Sequence, residues 1–155
     1  MLKPDTLLKA LSDAAPVLAA NPEMLRLYVD GGNIAATLAT SLSFEKQYTL
    51  NVVVTDFKGD IDLILGPVLA WLREHQPDIL STDTGQKKGF VFEADINNDS
   101  SFDISISLLL TERTLVDEVD KALHVRCIPE PPPPEPVTRP VELYIKGELV
   151  SKWDE

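Results

Sequence analysis

A chain of 155 residues and 17.1 kDa, 44% of them hydrophobic, has the length to bury one core without disulfides or a structural metal and leaves little for a second domain. Its formal net charge of −11 and pI near 4.5 exclude a protein that grips nucleic acid through a basic face. The one cysteine, Cys127, cannot form an intrachain bridge, and Asp5, Lys9 and Asp13 interrupt the apolar residues of the N-terminus. The longest apolar run, Leu63 to Leu72, is far short of the ~20 residues that cross a bilayer, so a soluble, cytosolic chain without a membrane partner is expected.

Leu7, Leu8, Leu11, Ala14, Ala15 and Leu18 form a helical stripe, with Pro4 suited to the first turn and Asp5 to the positive end of the dipole. Pro16 predicts a kink or restart, and Asn21-Pro22 ends the element. Leu25, Leu27 and Val29 then alternate with Arg26, Tyr28 and Asp30. Asp30-Gly31-Gly32-Asn33 supplies positive-φ residues for a tight hairpin, from which Ile34 to Thr40 would return. A phosphate cradle at the glycine pair is disfavoured, because no helix start follows it. A strand with Tyr48, Leu50, Val52 and Val54 on one face would make this the third of three consecutive antiparallel strands.

Asp60 can cap the next helix, whose apolar residues Ile61, Ile64, Leu65, Val68 and Leu72 run down to His75 and Gln76. Pro67 predicts either a fresh start or one kinked helix, with Val68, Leu69 and Leu72 toward the core and Trp71 at its boundary with a wet N–H. A polar loop from Ser81 to Lys88 leads to a strand carrying Phe90, Phe92, Ala94 and Ile96 on one face. A turn at Asn97 to Ser100 follows, then the longest period-2 run in the chain, Phe102 to Leu110. Thr114 to Lys121 is acidic and ambiguous, and Leu123, Val125 and Cys127 suggest one more short strand. Six prolines among residues 129–136 favour an extended polyproline II spacer. Beyond it, Val141, Leu143 and Ile145 alternate with polar residues, and Lys146-Gly147 can turn the chain into Glu148 to Trp153. A lone two-stranded hairpin is marginal and needs a surface, which another chain could supply.

The expected fold is α+β: a mainly antiparallel sheet of about five or six strands packed by two helices. The units are a domain over residues 1–128, a linker over 129–140 and a hairpin arm over 141–155. No catalytic, metal or cofactor site is expected. His75 and His124 lack the paired spacing of a metal site, and Cys127 and His124, three apart on a strand, point to opposite faces. Asp95, Asn97 and Asp99 begin like a calcium loop, but Ser100 stands where the sharp turn needs glycine and Ile106 where a bidentate glutamate belongs. Asp56, Asp60 and Asp62 are explained as cap and dipole partners. Asn98-Asp99-Ser100 matches the glycosylation sequon by chance.

The ordered set Met1-Leu2-Lys3-Pro4, Tyr28-Val29-Asp30-Gly31-Gly32, Leu42-Ser43-Phe44-Glu45, Tyr48-Thr49-Leu50-Asn51, Pro67 to Arg73, Gln76-Pro77, Gly89-Phe90 and Leu110-Thr111-Glu112-Arg113 resembles the tail completion protein R family of P2-like contractile-tailed bacteriophages. The resemblance implies a non-enzymatic virion protein with a tail-terminator-like fold, without cofactors. It would complete the tail at its head-proximal end so that a filled head can join. It implies a homo-oligomer, a hexameric ring on the tail tube, with tube, sheath and head-tail connector proteins as partners and DNA passing through the lumen without specific binding. The virion tail or neck is then the final location and the host cytoplasm the site of assembly. Long half-polar strands leave edges that a closed ring would satisfy. Asp30, Gly31 and Gly32, with Leu143, Tyr144, Ile145 and Trp153, are therefore the expected contacts to neighbouring subunits or the tube. The alternative from another class is a non-virion cytosolic assembly chaperone or binding adaptor.

Overall fold

The computed structural model describes residues 1–36, 42–131 and 139–154. Two long strands form the spine of an α+β fold, β2 (Phe44–Phe57) and β4 (Phe102–Val119), paired antiparallel from Phe57↔Phe102 to Phe44↔Thr114. Their alternation places Tyr48, Leu50, Val52 and Val54 beside Ile104, Ile106, Leu108 and Leu110 on one face, all buried. The helices α1 (Leu2–Ala14) and α3 (Asp62–His75) cover that face with Leu7, Leu11, Ile64, Val68 and Leu72. Burial of each large apolar side chain stabilises the fold by roughly 1.5–3 kcal/mol.

The edges of the sheet depart from simple order. β1 (Leu25–Ala36) pairs with the outer side of β2. On the other side of β4, β3 (Phe90–Ile96) pairs with its first half and β5 (Ala122–Ile128) with its second. Arg113 and Thr114 pair with both β2 and β5, so β5 lies on the edge opposite β2, end to end with β3. Among the described residues Leu109–Glu112 between them have no strand partner on that edge.

Several expectations change on contact with the tertiary structure. Asp30-Gly31-Gly32-Asn33 does not turn the chain. β1 runs through it with a bulge, two residues facing one on β2 between Val29↔Leu50 and Gly32↔Tyr48, with Gly31 at φ +78°. Ile34 to Ala36 therefore continues β1 instead of returning, the meander has two strands and not three, and Thr37 to Thr40 lies outside the described residues. The ambiguous stretch after Thr114 is the far end of β4, closed by Asp120 and Lys121, both at positive φ as a tight two-residue hairpin requires. Pro67 sits inside one helix, while Pro16 does separate α1 from α2 (Pro16–Ala20). The polar stretch from Ser81 holds the end of a short helix, α4 (Asp78–Ser81), and a π turn at Gly85–Gly89. Leu8 and Leu69 face solvent, being on the outer flanks of their helices. Trp71 is buried, and its indole N–H donates to Thr6 Oγ1 at 3.1 Å, which joins α3 to α1 instead of meeting water.

β6 (Glu142–Ile145) and β7 (Glu148–Lys152) form the separate terminal hairpin, turned by Lys146 and Gly147 at positive φ. It packs on α1 and α3 of its own chain, so its surface is supplied here without a second chain. Residues 132–138 of the expected linker lie outside the described residues.

Candidate assembly interface

The seven expected contact residues fall at two separate places. Asp30, Gly31 and Gly32 sit at the β1 bulge, all exposed, above a polar cleft shared with Gln47, Thr49 and Thr111. Only glycine fits at position 32, where an added Cβ would stand 2.6 Å from the Gln47 carbonyl oxygen and 2.9 Å from Tyr48 Cβ. The bulge is thus a consequence of close backbone approach as well as of the positive φ at Gly31.

The other four lie on the terminal hairpin. Leu143 rests beside Gly66 of α3, its Cδ1 3.8 Å from where a Cβ there would be, and Trp153 enters an apolar cleft of about 380 Å³ with Ala10, Pro67, Trp71 and Val141. Tyr144 is exposed and donates its hydroxyl to Glu142, whose carboxylate raises the phenol above its ordinary range. Ile145 is half-buried. Arg139 Nε donates to Glu74 Oε1 at 2.9 Å, and Trp153 N–H donates to the Val141 carbonyl at 2.8 Å. The cleft floor is stiffened by Trp71 and His75, whose rings stack at 4.6 Å.

Both outer edges of the five-stranded sheet are unpaired among the described residues, and both carry exposed apolar side chains. Ile34 on β1 is 59% exposed, Phe92 and Ile96 on β3 are 52% and 76%, and Val125 on β5 is 62%. The helices cover β2 and β4 but stop short of β3, so Phe92 and Ile96 share the core-facing parity without a covering layer.

A cluster that periodicity did not reveal closes the gap between β3 and β5. Lys3, with only 6% of its side chain exposed, donates Nζ to Gln76 Oε1 at 2.6 Å, the Thr111 carbonyl at 2.6 Å and Glu130 Oε1 at 3.0 Å. The Thr111 N–H donates to Gln76 Oε1, and Gln76 Nε2 donates to Thr111 Oγ1 and Asp78 Oδ1. Glu112 Oε1 accepts the Lys3 backbone N–H, and its other oxygen lies 3.9 Å from Lys46 Nζ. Side chains thus replace a missing strand at Thr111. The signal was present: Glu112 and Thr114 occupy core-facing positions in the run from Ile104 to Val116. Burial, then the Glu112 carboxylate and the Cys127 thiol, push the Tyr48 phenol far above its ordinary range; its hydroxyl has no hydrogen-bond partner among the described residues. Among the described residues no cluster of three or more His, Cys, Asp or Glu could hold a metal ion. Among the same residues no helix is long and apolar enough to cross a membrane.

Residues 1–131 match the family described as P2 phage tail completion protein R. The chain is 77% identical, over all 155 residues and the whole of both chains, to the tail completion protein R of Escherichia phage P2. No solved structure matches. Three quoted segments, Met1 to Pro4, Gln76-Pro77 and Leu110 to Arg113, meet physically in the Lys3 cluster, and a chain with that packing and that identity belongs to the P2 phage tail completion protein R family.

Proposed function

We propose that this chain completes the phage tail at its head-proximal end, as a structural component of the virion that lets a filled head join. The observation that carries the reading is full-length identity of 77% to a tail completion protein. The finer picture is a six-subunit ring seated on the tail tube, in contact with tube and sheath below and with connector proteins above. Two features support a ring. Among the described residues both edges of the sheet are unpaired and carry exposed apolar side chains, and a closed head-to-tail rotation would bury both. The formal charge of −11, set toward a lumen, would repel the DNA backbone and keep it moving.

The test is a phage lacking this chain, supplied or not with the intact protein in trans. Separate filled heads and tails should accumulate, with joining restored by the intact protein. Ordinary yields of joined particles without it would refute the proposal.

A further inference from the structure

The cleft beneath the β1 bulge measures about 630 Å³ and lies on the face of the sheet turned away from α1 and α3. Its floor is two cross-strand pairs, Gln47 with Thr111 and Thr49 with Leu109, whose parity is opposite to that of the core residues Tyr48 and Leu110. One wall is the bulge, from Asp30 to Asn33. The other is α4 and the π turn, which bring Asp78, Thr82 and Thr84 to the cleft.

Both walls are pinned by close backbone approach. The three glycines with the least room for a Cβ all line this cleft. An added Cβ would stand 2.6 Å from the Gln47 carbonyl oxygen at Gly32, 2.6 Å from Ile79 Cα at Gly85 and 3.0 Å from Ile79 Cγ1 at Gly89. Walls held in this way are formed before anything binds. A β-bulge and a π turn thus face each other across one floor, and both devices recur beside functional sites.

The lining sets the chemistry of what fits. Asp30 and Asp78 place an exposed carboxylate on each wall, and among the described residues no lysine, arginine or histidine lines the cleft. Asp30 makes no hydrogen bond or ion pair among those residues. Thr49 and Thr84 add hydroxyls, while Leu109, 42% exposed, gives the floor an apolar patch. An apolar stem that ends in a cationic head matches such a lining, and lysine and arginine are the side chains built that way. The volume exceeds that of one side chain, so the backbone on either side of it enters as well.

The geometry points to a docking surface: the cleft receives an extended segment of a different structural protein of the phage, with a lysine or arginine set between Asp30 and Asp78. This rests on the tail-completion reading, which brings the chain against other virion proteins. A second copy of this chain, at a formal net charge of −11, is a poor source of the complementary charge. Charge pairing across the cleft fixes the register of the segment and excludes partners of the wrong sign.

Photo-cross-linking in complete particles tests this. Benzoylphenylalanine replaces Thr84 on the rim or, in a second variant, Leu109 on the floor, so that a fault at one position does not block the test. The expected product is an adduct with a protein other than this chain, bonded beside a lysine or arginine. Asp30→Asn with Asp78→Asn should lower its yield at least about fivefold. Asparagine keeps the acceptor that Gln76 Nε2 uses at position 78, so the fold is spared. Glu23→Gln, ahead of β1, should leave the yield unchanged. Asp30→Lys should abolish the adduct, and glutamate in place of the basic residue on the other protein should restore it. Adducts indifferent to both carboxylates, adducts with a second copy of this chain alone, or no adduct from either position in particles that contain the chain would overturn the docking surface and leave the tail-completion reading standing. Particles that join normally without the chain would remove that reading and the docking surface with it.

Discussion

Tyr48 shows how one residue links packing to pH. Its ring fills the core while its hydroxyl lies buried without a partner among the described residues. Its pKa is raised in the folded state, so the native form holds a proton that the unfolded chain releases. The resulting stability is complete below the ordinary phenol value of 10.0 and is lost as pH climbs above it, by about 1.4 kcal/mol per pH unit. Tyr48→Phe should therefore flatten the alkaline limb of a urea-midpoint profile and leave neutral stability unchanged or higher by up to ~1 kcal/mol. An unaltered alkaline limb would place the cause elsewhere. Lys3→Met removes the donor from Gln76, the Thr111 carbonyl and Glu130 at once, and should cost about 2–4 kcal/mol. Equilibrium denaturation showing no loss would mean that water satisfies those acceptors equally well. Gly32→Ala should cost ~2 kcal/mol or more, since its Cβ would meet the Gln47 carbonyl; an unchanged midpoint would refute the bulge.

Among the elements, alternation over Tyr48 to Val54 and Phe102 to Leu110 made the central strands legible, because a period of two has one physical meaning when half the residues are buried. Prolines placed the break between α1 and α2 for an equally local reason. The bulge at Gly31 was not legible as such. Asp-Gly-Gly-Asn offers positive φ to a turn and to a bulge alike, and the choice is made by pairing with Tyr48 to Leu50, far along the chain. The Lys3 cluster was hidden for the same cause: Lys3, Gln76 and Glu112 are remote in sequence, and only the shared edge of β3 and β5 brings them together. The terminal hairpin could be read from its own alternation and Lys146-Gly147, but its seat on α1 and α3 could not. Deleting residues 129–155 should leave the five-stranded sheet folded, as circular dichroism would report, while abolishing ring formation and tail joining. Intact rings and joined particles from the truncated chain would remove the hairpin from the interface.

Among the described residues, helices shield one face of the sheet and leave its two lateral edges and the ends of β3 and β5 open. Such a shape leaves apolar residues exposed and backbone groups unpaired among the described residues, and the ring proposed above would satisfy them without an open-ended fibre. The residues that carry the family resemblance are divided between the core and the Lys3 cluster, as Tyr48, Leu50, Leu72 and Glu112 are, and the surface, as the segment from Tyr28 to Gly32 is.

The central claim is best tested by electron cryo-microscopy of complete particles at the junction of tail and head. The account predicts six copies of this chain around the head-proximal end of the tube, with acidic side chains toward the lumen. Complete particles with no copy of the chain at that junction would contradict it.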